Sequence, residues 1–109
     1  YNTMSITEIV KMKVLKELDK DEFVKIVDKL EKNFHSVQNG FIDSELLYHE
    51  EENEWYMIQH WETKNELIAA SKKIFSDKNA QKFVESLDKK SVSMLIFPRI
   101  KSWEKTNKV

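Results

Sequence analysis

Glu54-Trp55-Tyr56-Met57-Ile58-Gln59-His60-Trp61 is the stretch on which the fold turns. Trp55, Met57 and Trp61 share one parity and Tyr56 and Ile58 the other, the pattern of an inner β-strand covered from both sides. Directly after it Thr63 and Glu66 stand three apart. That spacing is a capping box, and it opens a helix whose buried face is expected to hold Leu67, Ile68, Ser71, Ile74 and Phe75. A two-sided strand running into a capped helix predicts a sheet with helices packed on it.

Toward the N-terminus, Glu50-Glu51-Glu52-Asn53 reverses the chain, and Phe41 to His49 reads as the partner strand. Gln38-Asn39-Gly40 is a turn. Before it, Asp19 with Glu22 caps a helix carrying Phe23, Ile26, Val27, Leu30 and Phe34 at helical spacing, to about His35. Ile6 to Leu15 alternates, with Ile6, Val10, Met12 and Val14 on one face, and predicts a first strand. Toward the C-terminus, Ser76-Asp77 interrupts the helix after Thr63. Ala80, Phe83, Val84 and Leu87 give a third helical stripe, and Val92 to Phe97 a last strand ended by Pro98, as suits a sheet edge. The order βαββααβ predicts an α+β, ferredoxin-like domain: a four-stranded antiparallel sheet with helices on one face. It is read as a single domain over residues 1–109 with its core at about 6–98. Met4, after Tyr1-Asn2-Thr3, is read as the native start, or else Tyr1 follows a removed segment, and the polar tail from Lys101 is expected to fray.

The 109 residues are 40% apolar and 34% charged, enough for one small core. Eighteen Lys and Arg against nineteen Asp and Glu give a net charge of −1, which offers nucleic acid or an anionic membrane no one-signed field. Cysteine is absent, which removes disulfides, thiolate nucleophiles and Cys-ligated metals. A single glycine, Gly40, excludes the phosphate-binding loops that need several. His35, His49 and His60 lack metal-ligand spacing, and no Gly-x-Ser-x-Gly elbow occurs. No apolar run approaches the ~18 residues that span a bilayer, so the cytoplasm is the expected compartment.

Helices can cover only one side of such a sheet, yet Tyr56 and Ile58 point to the other. A second copy stacked there would bury them, so a homodimer is expected, with Leu47, Phe41 and the outward residues of strand one in the interface. If His49 pairs with Glu54, His60 falls opposite Asp43 as a cross-strand ion pair.

Tyr56-Met57-Ile58-Gln59-His60-Trp61-Glu62-Thr63-Lys64-Asn65-Glu66-Leu67 resembles the antibiotic biosynthesis monooxygenase family of the dimeric α+β barrels, with a Trp at a strand end followed by a capped helix. The similarity extends from about Ile6 to Pro98. The resemblance implies a small-molecule cavity between sheet and helices, with Trp61 on its wall. Trp55, Met57 and Gln59 share that parity, Val10 and Met12 are the matching positions of strand one, and Tyr48 faces Trp55 at the rim. Each residue has a plain alternative: Trp61 as core, Gln59 bonded to a neighbouring element, Tyr48 as an ordinary edge-strand tyrosine. Glu8 is the candidate general base if buried, or a carboxylate at a strand start that reaches water. Haem-degrading relatives carry an asparagine where Met12 stands and a histidine in the region of Asn79-Ala80-Gln81-Lys82-Phe83. Many others carry a histidine at about Ala70. With all three missing, the cavity face is expected to hold no histidine. The resemblance then implies a monooxygenase that uses neither metal nor flavin and acts on a small aromatic or polycyclic molecule. The alternatives are a non-catalytic small-ligand-binding dimer and, disfavoured, a haem-binding or haem-degrading enzyme.

Overall fold

The computed structural model describes residues 5–107, so the expected start at Met4 lies outside them. Strands β1 (Ile6–Val14), β2 (Phe41–His49), β3 (Glu54–Trp61) and β4 (Leu87–Pro98) form one sheet in the order β2-β3-β1-β4. All neighbours are antiparallel. Helices α1 (Lys20–Asn33), α2 (Lys64–Lys73) and α3 (Gln81–Ser86) pack on one face, as the ferredoxin-like reading requires.

The local signals act as their chemistry predicts. Asp19 accepts the amide of Glu22 at 2.9 Å and Thr63 that of Glu66 at 3.2 Å, which satisfies a free N–H at the start of α1 and of α2. Along β3, Trp55, Met57, Gln59 and Trp61 are buried while Tyr56, Ile58 and His60 are half-buried. In the single chain, then, β3 is covered on one side only, because all three helices lie against the face of Trp55, Met57, Gln59 and Trp61. His49 pairs with Glu54, and His60 sits opposite Asp43 with Nδ1 2.6 Å from the carboxylate.

Four boundaries differ from expectation. Helix α1 stops at Asn33, and His35–Val37 form a 3₁₀ turn that swings His35 inward beside the core. Phe41 points to the helix side, edge-to-face with Trp61 at 5.4 Å, because a register shift between Phe41 and Asp43 turns it over. On α2, Ala70 is buried where Ile68 and Phe75 were expected. Ile68 lies about 100° round the helix from Leu67, and the helix ends at Lys73, which leaves Phe75 79% exposed. Strand β4 begins at Leu87 and not Val92, since Leu87 and Asp88 pair with Val14 and Lys13 across an irregularity that Ser91 bridges to the Lys13 amide at 2.7 Å. Its polar Asp88-Lys89-Lys90 segment carries no apolar alternation because it lies at a solvated edge. The tail from Lys101 to Asn107 is exposed and without regular structure.

Candidate functional site

Two fillings divide the space between sheet and helices. Under α1 the Phe23 ring packs 4.9 Å from Trp55 and, with Met12, Leu30 and Phe34, closes that half into solid core. Under α2 the only large buried side chain of the helix is Leu67, followed by the small Ala70, and a cavity of about 150 Å³ remains. Val10, Met57, Leu67, Ala70, Ile74 and Phe83 make most of its wall apolar. Exposed Phe75, Val92 and Met94 form its mouth. A wider depression on the outside, lined by Lys25, Lys29, Lys78 and Lys82, is open to solvent and contains no buried polar group.

Of the residues expected at the site, Glu8, Val10, Met57, Gln59 and Trp61 line the cavity together. Met12, Trp55 and Tyr48 do not. Met12 and Trp55 pair with each other at the far end of their strands, beneath α1, where Phe23 fills the space. Tyr48 packs tilted against Trp55 with ring centroids 4.6 Å apart and donates to Asn53 Oδ1 at 2.5 Å, with Lys20 Nζ 4.3 Å above its ring.

The expectation that no histidine faces the cavity is corrected by His35, which the 3₁₀ turn brings into the wall. Its Nδ1 meets the Glu31 carboxylate one helical turn earlier. Ser44 donates to the same carboxylate from β2, and Gln59 Nε2 donates to it at 3.0 Å. That amide nitrogen also lies 3.2 Å from His35 Nδ1 and 3.4 Å from Met57 Sδ, while Gln59 Oε1 accepts the Trp61 indole N–H at 3.2 Å. Gln59 is therefore engaged at both ends by the protein, and Trp61 lines the cavity with its N–H already bonded. The signal for this network was present as Glu31-x-x-x-His35, the spacing at which helical side chains meet.

Glu8, only 4% exposed, borders that chain of hydrogen bonds at the Trp61 indole. Burial pushes its carboxyl above the ordinary carboxylate range. The negative Glu31 adds to the rise, whereas His35 and the nearby indole N–H of Trp61, already shared with Gln59, oppose it. Carboxyls perturbed in this way cluster at functional sites. Among the described residues no group of three or more His, Asp or Glu side chains is placed to hold a metal ion, and no helix is long and apolar enough to cross a membrane.

Comparison with known proteins adds the lineage. Among solved structures, the cofactor-independent oxygenase SnoaB from Streptomyces nogalater superposes with a TM-score of 0.70, covering 94% of this chain and 99% of its own at 15% identity. A conserved protein from Methanosarcina mazei Go1 gives a TM-score of 0.66 over 89% of this chain and 94% of its own, at 19% identity. Identities so low establish the shared fold and nothing finer. Among curated proteins no sequence matches significantly. The sequence model of the antibiotic biosynthesis monooxygenase family, however, matches residues 5–73, which span β1 to the end of α2 and hold Glu8, His35, Gln59 and Trp61. The chain belongs to the antibiotic biosynthesis monooxygenase family.

Proposed function

We propose that this protein is a cofactor-independent monooxygenase acting on a small aromatic molecule, working as a homodimer. The observation that carries the reading is the Glu8 carboxyl, buried in the wall of a largely apolar cavity that Trp61 also lines. An oxygenase that uses O2 without a metal or flavin must draw its electrons from the substrate. It needs a base to make the substrate anionic, a dry pocket that admits O2, and flat walls to hold the ring. Glu8 takes a proton from an activated C–H. The carbanion transfers its electrons to O2 and forms a C–O bond as a peroxide. Loss of water then leaves a carbonyl, so that CH2 and O2 become C=O and H2O.

The cavity's size narrows the substrate class. A space of about 150 Å³ suits one ring or two, since an apolar cavity of that order holds benzene. Polycyclic substrates and haem would require the mouth at Phe75 to open. Oxygen uptake with one- and two-ring quinols, with anthrone as a size control, tests the reading. Glu8→Gln is expected to lower turnover by on the order of 10²–10⁴-fold, and Trp61→Phe to raise KM. Turnover unchanged in both variants overturns the roles assigned to them.

A second reading is a dimer that binds small molecules without chemistry. It is favoured by the engagement of Gln59 at both ends by protein partners, which leaves few free polar groups to orient a reacting ligand.

A further inference from the structure

His35 has two ring nitrogens, and the protein engages one of them. Nδ1 meets Glu31 Oε2, while Ser44 and Gln59 both donate to Oε1 of the same carboxylate, Gln59 at 3.0 Å. An ionised carboxylate accepts and never donates, so in the neutral imidazole the proton sits on Nδ1 and Nε2 keeps its lone pair. Among the described residues Nε2 has no hydrogen-bond partner, yet none of their fully enclosed side-chain nitrogens or oxygens lacks one. Nε2 therefore reaches free space, and the space that His35 lines is the inner cavity. Three aromatic rings hold the imidazole in this attitude. Phe41 lies nearly parallel to it with centroids 5.9 Å apart, and Phe34 and Trp61 meet it edge-on at 4.9 and 6.1 Å.

We propose that His35 Nε2 is an acceptor subsite for a hydroxyl group, so that the molecule this cavity takes is a hydroxylated aromatic ring. The inference rests on the reading of the cavity as the ligand site and names the substrate class within it. The other polar groups of the wall are Glu8, Gln59 and Ser71; Gln59 is bonded at both ends, and Ser71 donates to the Leu67 carbonyl. A ring bearing an O–H meets a matched partner at Nε2. A ring bearing only a carbonyl sets one lone pair against another, and a ring with a methyl group there leaves Nε2 dry and unpaired. Glu31 acts through His35 as a positioning residue, because its carboxylate decides which nitrogen carries the proton. For an oxygenase the contact has a further use: a hydroxyl that shares its proton with an imidazole leaves its ring richer in the electrons that O2 must take.

The test is affinity, by equilibrium dialysis under argon at pH 8, for three two-ring molecules of nearly one shape: 2-naphthol, 2-methylnaphthalene and 2-naphthaldehyde. The wild type is expected to bind the naphthol on the order of 10–100-fold tighter than the other two. Equal affinities overturn the subsite. In Glu31→Gln, Ser44 and Gln59 still require an oxygen at the Oε1 position, so the new amide nitrogen takes the place of Oε2 and donates to Nδ1. The ring proton then moves to Nε2, which becomes a donor. That variant is expected to gain affinity for the naphthaldehyde by on the order of tenfold, which lost packing does not produce; affinities that fall together for all three overturn the assignment. His35→Phe should bind naphthol and methylnaphthalene alike, whereas a retained preference puts the hydroxyl on Glu8 and overturns the subsite. Should the variants fold poorly, the wild type carries the test alone. Nitrogen-15 spectra of the His35 side chain should show a proton on Nδ1, none on Nε2, and a shift at Nε2 when the naphthol binds; a protonated Nε2, or one that does not respond, overturns the proposal. Binding of none of the three overturns both the cavity as ligand site and the subsite. A naphthol preference without oxygen uptake from quinols overturns the oxygenase reading alone, and oxygen uptake without that preference overturns the subsite alone.

Discussion

At Glu8 the cost of a buried charge should be measurable as stability. Its folded-state carboxyl is raised above the ordinary value, so the folded chain holds that proton more tightly than the unfolded chain does. The resulting contribution is fully present at low pH, below the ordinary carboxylate value, and is lost as the pH rises through the raised folded-state value. Glu8→Gln, which keeps the shape and removes the charge, is therefore expected to melt above the wild type at pH 8, with the gap closing by pH 4. Thermal melts across that range check it, each kcal/mol reading out as roughly 4–8 °C in a domain of this size. A variant that melts below the wild type by the same margin at every pH would show that the charge carries no burial cost.

Among the elements, the joint between the 3₁₀ turn and β2 controls the site most directly. Gly40 sits at φ 83°, and its carbonyl accepts the Glu62 amide at 2.7 Å, immediately after Trp61. A Cβ there would lie 2.8 Å from the Glu66 Cβ and overlap the Glu66 carboxyl in the first turn of α2. Gly40→Ala is expected to cost about 1–3 kcal/mol from the backbone alone, read by urea unfolding. Adding Glu66→Ala should recover only part of it, because the left-handed backbone remains. Much of this level was legible in the chain. Asp19, Thr63 and the alternation of Trp55 to Trp61 act through neighbours a few residues away, and local spacing records such effects. What escaped depends on where side chains end up in three dimensions. The Phe23 ring turns Met12 and Trp55 into plain core, the register shift beside Phe41 sends that ring to the helix side, and the turn after Asn33 carries His35 into the cavity. None of these is a spacing rule.

At the scale of the whole molecule, one face of the sheet has no helix against it among the described residues. Tyr56, Ile58 and Ile9 lie there half-buried, with Leu47, Leu95 and Phe97 each more than two-fifths exposed. A second copy placed on this face would bury over ~1,000 Å². The wild type is expected to sediment as a dimer at micromolar concentration. Tyr56→Asp or Ile58→Lys would put an unpaired charge into the interface, at several kcal/mol against a total stability of about 5–10, and should give monomer, aggregate or unfolded chain. Lys29→Asp, on the outer face of α1, should leave sedimentation unchanged. A well-behaved wild-type monomer would contradict the dimer.

Met57 lines the cavity, its sulfur accepting from the Gln59 amide at 3.4 Å, and on the proposed oxygenase reading it would serve the protein as a built-in dosimeter. Thioethers are readily converted to sulfoxides, and any peroxide lost from a reaction at Glu8 meets this one before it meets solvent. Met12 is equally shielded from bulk oxidant but lies outside the cavity. Mass spectrometry of peptides after aerobic turnover should therefore find one added oxygen on Met57 and none on Met12, with neither altered when the same quinol is supplied under argon. Ageing of the enzyme would then be counted in turnovers and not in hours, and Met57→Leu should lengthen its working life.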